Sequence, residues 1–227
     1  MIAIPLTSIE NEDGDLKIET VFSPGANSTI NDVSFSKDAI YLNTLENVNG
    51  RMIQIRLRNN QWLARKLKFP AQGSVTTLGA DSFQNEIYAN HENFLTPTSS
   101  FYARGIGTEL KMIKYLPSRF SMKDLVAEQK LSTSADGTQI PYFFVHKKDF
   151  KLDGKNPTLL YGYGGFEISM TPSYQPTLGK VWLARGGVYV LANIRGGGDF
   201  GPTWHNAAIL EKRQHAFDDF ISLVEDL

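Results

Sequence analysis

Short apolar runs separated by polar breaks dominate the first 115 or so residues of the chain. The runs show no helical period, and glycine and asparagine recur in the breaks, so the pattern predicts β-strands. The predicted strands are Val33–Phe35, Ala39–Leu42, Met52–Leu57, Trp62–Leu67, Ser74–Leu78, Glu86–Ala89 and Ser100–Ala103. This spacing favours an all-β region.

A faint repeat runs through that region. Phe35 recurs as Phe83 after 48 residues, and Ile40-Tyr41-Leu42 recurs as Ile87-Tyr88-Ala89 after 47 residues. A four-stranded propeller blade has about this length. A β-sandwich explains the strand pattern nearly as well, so both architectures stay open on this pattern alone, with the propeller favoured.

The pattern changes near Leu131. Apolar strands are predicted at 140–145, 158–161 and 188–192, with a helix at 178–184 closed by Gly186-Gly187. Strand, helix, strand is typical of an α/β sheet. A last helix carries Phe217, Phe220, Ile221, Val224 and Leu227 at helical spacing, which predicts core packing. Asp218 and Asp219 are interpreted as helix-start residues that the macrodipole favours.

Composition excludes several classes of function. The 227 residues hold 23 basic and 24 acidic side chains, so no charge imbalance indicates nucleic acid or an anionic membrane surface. The chain has no cysteine, which removes disulfides, thiolate catalysis and cysteine-ligated metals. No apolar run approaches the roughly 18 residues of a membrane span.

Two glycine-rich loops carry the candidate chemistry. Gly162-Tyr163-Gly164-Gly165-Phe166 follows the strand at 158–161, at the carboxyl end where open α/β sheets bind ligands. Its spacing fits neither phosphate-binding glycine motif. A phenol held on a rigid loop can donate a hydrogen bond to an oxyanion during acyl transfer, so Tyr163 is a candidate for that role. Aromatic packing is the competing interpretation.

The second loop, residues 193–201, holds Arg195 followed by Gly196, Gly197 and Gly198. Three consecutive glycines cost backbone entropy, which indicates a special conformation or a close backbone approach. The planar guanidinium of Arg195 can hold a carboxylate or a loop carbonyl, and this structural role is favoured over substrate contact. Packed or hydrogen-bonded roles are likewise favoured for the four histidines, His91, His146, His205 and His215.

Three runs together resemble one family. Residues 154–166, 193–201 and 217–220 occur in the order and spacing of the prolyl oligopeptidase family, and residues 134–141 resemble the entry into its hydrolase domain. The resemblance is specific over residues 129–227 and implies the truncated start of an α/β-hydrolase domain. Residues 1–128 fit the C-terminal blades of the family's β-propeller. The expected fold class is therefore mixed, all-β followed by α/β.

The resemblance implies a serine peptidase whose propeller restricts access to short peptides. In this comparison Tyr163 matches the tyrosine that supplies half of the oxyanion hole, and Phe166 matches an aromatic residue of the substrate pocket. Residues expected to structure the loops near the site are Gly164, Gly165, Arg195, Gly196, Gly197 and Gly198. No metal, organic cofactor, nucleic acid or membrane partner is implied.

One departure from the family pattern decides what is expected of the chain itself. No G-x-S-x-G segment occurs in it, and the family's Gly-Gly-Ser-Asn-Gly-Gly nucleophile segment is expected about one strand beyond Leu227. The aspartate and histidine of the triad are expected later still. The chain is therefore predicted to be an internal fragment that is inactive by itself, and unpaired strand edges favour its self-association.

Alternatives remain open at this stage. A related serine hydrolase, either an oligopeptidase specific for basic residues or an acylaminoacyl peptidase, would share these motifs. A non-catalytic propeller protein that binds peptides or a partner is the third alternative. A cytoplasmic location is favoured and a periplasmic one left open. Cleavage after proline rests on the resemblance alone.

Overall fold

The computed structural model describes residues 1–10, 16–151 and 153–227. Its strands are β1 (Ile2–Ala3), β2 (Glu19–Thr20), β3 (Ser28–Phe35), β4 (Ile40–Glu46), β5 (Asn49–Arg58), β6 (Gln61–Lys66), β7 (Ser74–Asp81), β8 (Glu86–Asn93), β9 (Thr96–Arg104), β10 (Lys111–Tyr115), β11 (Leu125–Thr133), β12 (Gln139–Lys147), β13 (Thr158–Gly162) and β14 (Val188–Ala192). Its helices are α1 (Leu6–Ile9), α2 (Pro176–Val181), α3 (Pro202–Asn206) and α4 (Gln214–Asp226), with short 3-10 turns at Leu183–Arg185 and Leu210–Lys212.

Two four-stranded antiparallel sheets form the first half of the structure. Strands β3 to β6 pair in chain order, and strands β7 to β10 repeat that arrangement. The faint sequence repeat is explained by this duplication, because Ile40-Tyr41-Leu42 and Ile87-Tyr88-Ala89 both lie in the second strand of their sheet. All seven predicted strands overlap observed ones. Strand β10 was missed because all five of its residues are exposed, which leaves no apolar alternation.

The two sheets pack face to face as neighbouring blades. Their shared core comprises Ala39, Tyr41, Met52, Leu67, Val75, Ile87, Ala89 and Ala103. A polar contact crosses the same boundary, where Asn43 Nδ2 donates to the carbonyl of Val75 at 2.6 Å. Each blade therefore covers an apolar face that its neighbour would otherwise leave in water.

The third sheet has the order β11-β12-β14-β13, with β13 and β14 parallel and the other pairs antiparallel. Helix α2 lies in the crossover between the two parallel strands, as the strand-helix-strand pattern predicted. The mixed fold class, all-β blades followed by α/β structure, is thus confirmed. The predicted boundary between the propeller part and the hydrolase part, at residues 128 and 129, falls within strand β11. This boundary stays a prediction.

Helix α4 covers one face of the third sheet, and its Ala216 and Leu223 join the core there. The predicted core packing holds only in part. Phe220 and Leu227 pack partly buried against this core. The prediction was wrong for Phe217, Ile221 and Val224, which are each more than half exposed. The macrodipole interpretation of Asp219 was wrong, because Asp219 is the sixth residue of α4 and no acidic residue occupies the first turn. It is fully buried and serves as an ion-pair partner, described below.

The other face of the third sheet packs against the tips of both blades. Val48, in the turn between β4 and β5, and Phe94, after β8, are buried against Leu125, Phe143 and Tyr189. Hydrogen bonds accompany this core where Asn49 Nδ2 donates to Gln129 Oε1 at 3.2 Å. The blades and the third sheet therefore share an apolar core with a polar contact beside it.

Val48 provides a test of that interface. Its φ of 64° lies in the left-handed region, which is strained for a β-branched residue, while its side chain is fully buried. Glycine is ordinarily less stabilising than alanine by about 0.5–1 kcal/mol within strands and helices. At residue 48 we expect Val48→Gly to be more stable than Val48→Ala by about 1 kcal/mol. Alanine has a Cβ, which is strained in the left-handed conformation, and glycine has none.

Chemical denaturation of both variants measures this difference. The pair Val190→Gly and Val190→Ala is the control, since Val190 is equally buried in β14 and its φ is not in the positive region. There the alanine variant should be the more stable. The same order at both sites would contradict the strain attributed to Val48.

Candidate active site

The first glycine loop exposes two aromatic side chains beyond the end of β13. Tyr163 is 41% exposed and Phe166 is 84% exposed, and both line one open pocket with His205, Leu210 and Arg213. Phe166 has φ 51° and Leu210 has φ 50°, so two bulky residues of this pocket are held in the left-handed region. Such strain persists only where the surroundings enforce it, and it concentrates at functional sites.

The two glycine loops touch through their backbones at Gly164 and Gly196. Gly164 has φ 58°, and a Cβ there would lie 2.5 Å from Ile194 Cγ1 and 2.8 Å from the carbonyl oxygen of Arg195. Gly196 has φ 93°, and a Cβ there would lie 2.5 Å from the carbonyl oxygen of Gly164. The loops need glycine at these positions because they approach each other, so the clustering of glycines does not by itself require a ligand.

The second loop is buried, including Arg195 and all three of the glycines that follow it. Gly197 and Gly198 pack against the backbone carbonyls of Ile168 and Glu167. By contrast, Gly165 lies beneath the ring of Tyr163 without crowding, since a Cβ there would be 3.7 Å from Tyr163 Cε1. The predicted site residues thus divide into an exposed aromatic pair and a buried support.

Arg195 joins three distant segments through a buried polar network. Its Nη2 donates to Asp219 Oδ1 at 2.6 Å, and its Nε donates to Asp219 Oδ2 at 3.0 Å. Its Nη1 donates to Asp136 Oδ2 at 2.5 Å, and Ser134 Oγ donates to Asp219 Oδ1 at 2.6 Å. The Arg195 side chain is 5% exposed and that of Asp219 is fully buried, so the planar guanidinium has a structural role here.

The charges in this network reinforce one another. The hydrogen bond from Arg195 holds the pKa of Asp136 well below its usual range. The hydrogen bond to Asp219 raises the pKa of Arg195 above its ordinary value. The cation therefore stays protonated and can bind carboxylates from two other segments of the chain.

A second buried acid lies in the same loop. Asp199 Oδ1 accepts hydrogen bonds from the backbone N–H of Met170 at 3.0 Å and from Asn193 Nδ2 at 2.9 Å. Burial raises the pKa of Asp199 to about 7, although these hydrogen bonds act in the opposite direction. Asn193 also donates to the carbonyl of Met170 at 2.6 Å. These contacts attach the segment that follows Phe166 to the end of β14.

Each of the four histidines contacts a backbone carbonyl through a ring nitrogen. His205 Nδ1 lies 2.7 Å from the carbonyl oxygen of Gly196, and His215 Nδ1 lies 2.9 Å from that of Ala207. His91 and His146 make equivalent contacts to Ala71 and Lys147. These contacts agree with the prediction that the histidines have packed or hydrogen-bonded roles.

A polar cleft adjoins the aromatic pair at the junction of the blades with the third sheet. It is lined by Asn43 and Ser74 from the blades and by Glu167 and Ser169 from the segment after Phe166. Ser74 Oγ donates to the carbonyl of Pro172 at 2.5 Å at its edge. An extended peptide main chain offers the donors and acceptors that such a lining can pair with.

Two family models match the chain. The N-terminal β-propeller domain of prolyl oligopeptidase matches residues 1–114, and the prolyl oligopeptidase family matches residues 173–227. The chain belongs to the prolyl oligopeptidase family. The aromatic pair lies between the two matched ranges, whereas the Arg195 network reaches into the second through Arg195 and Asp219.

Relatives with longer chains align with it. An uncharacterised peptidase of Sinorhizobium fredii is 38% identical over 227 residues, which is all of this chain and 31% of that protein. A prolyl endopeptidase of Elizabethkingia miricola is 38% identical over 165 residues, or 73% of this chain and 23% of the relative. The solved structure of a post-proline cleaving enzyme from Rickettsia typhi superposes with a TM-score of 0.86 at 40% identity, covering 100% of this chain and 33% of that one. The chain thus spans about a third of the proteins that it matches in full.

Within the described residues, no group of three or more histidine, aspartate or glutamate side chains is arranged to hold a metal ion. In the same part of the chain, no helix is long and apolar enough to cross a membrane. The network partners Ser134, Asp136 and Asp219 were missed as partners of Arg195. Their only sequence signal was the likeness of residues 134–141 and 217–220 to family motifs.

Gly164 and Gly165 give a matched pair for testing the loop contact. Gly164→Ala should lower the free energy of unfolding by about 2 kcal/mol or more, because it adds left-handed strain and a backbone overlap. Gly165→Ala should change it by less than about 0.5 kcal/mol, since its Cβ would meet only ordinary contacts. Denaturant titration of the two variants checks this. Equal losses at both positions would refute the contact between the loops.

Asp199 predicts a pH dependence of stability. Its pKa rises from 3.8 to about 7 on folding, so the folded state binds the proton more tightly than the unfolded state does. The resulting stabilisation is complete below the unfolded pKa and is lost as the pH rises through the folded pKa. Relative to Asp199→Asn, whose amide oxygen can keep both hydrogen bonds, the wild type should lose roughly 2–4 kcal/mol between about pH 4 and pH 7.

Urea unfolding at several pH values measures that difference. Asp124→Asn is the control for removing one carboxylate, because Asp124 is exposed. A wild-type stability that ran parallel to that of Asp199→Asn over the whole range would show that Asp199 takes up no proton on folding.

Proposed function

We propose that this chain supplies the oxyanion side of the active site of a serine oligopeptidase that cleaves short peptides, preferentially after proline. The observation that carries the proposal is Tyr163, an exposed phenol on a loop whose backbone is locked by buried contacts. An oxyanion donor must be fixed in place before the reaction, because its advantage lies in not having to reorganise. The relatives' names support the proline preference, since they include prolyl endopeptidases and a post-proline cleaving enzyme.

In the proposed reaction a serine oxygen attacks the carbonyl carbon of the scissile bond while a histidine takes the serine proton. The carbonyl oxygen becomes negatively charged, and the Tyr163 hydroxyl donates a hydrogen bond to it. The histidine then returns the proton to the leaving amine, and water releases the acyl group by the same steps. The serine, the histidine and its orienting aspartate would come from parts of the full-length protein other than residues 1–227.

Phe166 and the polar cleft are assigned to substrate binding. Phe166 offers an exposed aromatic face in the pocket that it shares with Tyr163, which suits an apolar ring such as proline. The cleft lined by Asn43 and Glu167 would accept the peptide main chain between the blades and the third sheet. Short extended peptides would bind there, because their main-chain donors and acceptors can pair with the polar lining. The division of the chain at 128/129 into propeller and hydrolase parts belongs to the same proposal.

The test uses the full-length peptidase and a Gly-Pro-linked chromogenic amide. Tyr163→Phe removes one hydroxyl and should lower kcat by about 100-fold to 1000-fold with KM little changed, the range for loss of one oxyanion donor. Phe166→Ala should act mainly by raising KM. Unchanged kinetics in Tyr163→Phe would reject the proposed role of the loop.

The isolated 227-residue chain is the second arm of this experiment. It should not turn over the amide, because it contains no G-x-S-x-G nucleophile segment. Inhibitor-sensitive cleavage by the purified chain would show that the nucleophile had been assigned to the wrong part of the protein.

Tyr115→Phe is the control for the Tyr163→Phe variant. It removes an exposed hydroxyl from strand β10 and so tests the loss of a phenol elsewhere in the protein.

A further inference from the structure

Arg213 occupies the junction between the 3-10 turn at Leu210–Lys212 and helix α4, where it is the N-cap residue. Its Nη1 donates a hydrogen bond to the carbonyl oxygen of Gly164, which lies 49 residues earlier. Its guanidinium carbon lies 5.4 Å from the ring centroid of Phe217, four residues further along α4. The guanidinium therefore contacts both the helix that carries it and the loop that it reaches.

The carbonyl that accepts this hydrogen bond belongs to Gly164, the residue that directly follows Tyr163. Gly164 is buried, so its carbonyl oxygen would lack a good replacement partner if Arg213 were removed. The same guanidinium also lies where the two loops meet, since a Cβ on Gly196 would be 3.1 Å from Arg213 Nη1. Arg213 therefore fills the corner between the loops and holds the peptide plane between Gly164 and Gly165, one residue beyond Tyr163.

Helix α4 thus holds the two glycine loops with two different residues. Asp219 binds Arg195 and thereby holds the second loop, while Arg213, at the start of the helix, holds the first. Movement of the Tyr163 loop relative to α4 would break the contact between Arg213 and Gly164. Small displacements matter here, because a shift of about 1 Å at a reacting centre can cost about 100-fold in rate.

We propose that Arg213 is a positioning residue that acts through Tyr163, by holding the Gly164 carbonyl and with it the orientation of the phenol. This inference rests on the proposed oxyanion role of Tyr163. Arg213 also lines the same pocket, and its bond to Gly164 uses one of its five N–H donors, so direct substrate contact is the competing role that KM distinguishes.

A double-mutant cycle in the full-length peptidase tests the proposal with the Gly-Pro-linked amide. Arg213→Met should lower kcat by about 10-fold or more while KM changes less than about 3-fold, the signature of lost transition-state stabilisation. In the Tyr163→Phe background the same substitution should cost less than about 2-fold, because residues that act as a unit are non-additive.

Two further variants keep the test interpretable. Lys212→Met removes an exposed cation one residue earlier and should leave both kinetic constants unchanged. Arg213→Lys keeps the charge but loses the planar fork, so we expect an intermediate loss of kcat that also disappears in the Tyr163→Phe background. Arg213→Lys replaces Arg213→Met in the cycle if unfolding curves show that the methionine variant is not folded.

The possible outcomes separate the two proposals. If Tyr163→Phe lowers kcat and the Arg213 variants do not, or if their effects multiply, the positioning role is wrong while the oxyanion role stands. A loss expressed mainly in KM would mean that Arg213 binds substrate directly, which also overturns the positioning role. If Tyr163→Phe itself has no effect, the oxyanion role fails and the inference about Arg213 fails with it.

Discussion

The buried guanidinium of Arg195 is the constraint on which the α/β half of the structure depends. It joins the turn that contains Ser134 and Asp136, the loop after β14, and helix α4 through Asp219. Removing one partner from such a network leaves an uncompensated buried charge, which typically costs about 3–5 kcal/mol. Each of the three segments is therefore held to the other two through this one side chain.

The position of α4 then determines the position of the candidate site. Because Asp219 fixes the helix against the second loop, Arg213 at the start of the same helix reaches the first loop at Gly164. The two loops can approach closely enough for this only because glycine occupies residues 164 and 196. Rigidity thus comes from buried groups, and the aromatic pair, Tyr163 and Phe166, stays exposed.

The blades are part of the same arrangement, because they share a core with the third sheet. Val48 at a blade tip is buried against the sheet, and Ser74 of β7 is hydrogen-bonded to Pro172. Pro172 lies in the segment that begins at Phe166 and that Asp199 holds to the end of β14. The polar cleft between the layers is therefore bounded on both sides by anchored backbone.

Periodicity and motif order in the sequence were sufficient to predict the β-rich first half, the α/β second half and the two glycine loops. These features are local, since alternation, helical spacing and glycine clusters act over a few residues. The role of Asp219 and the contact of Arg213 with Gly164 were not predictable, because their partners lie 24 and 49 residues away. Only the tertiary structure decides such pairings, because the packing of α4 on the sheet brings these groups together.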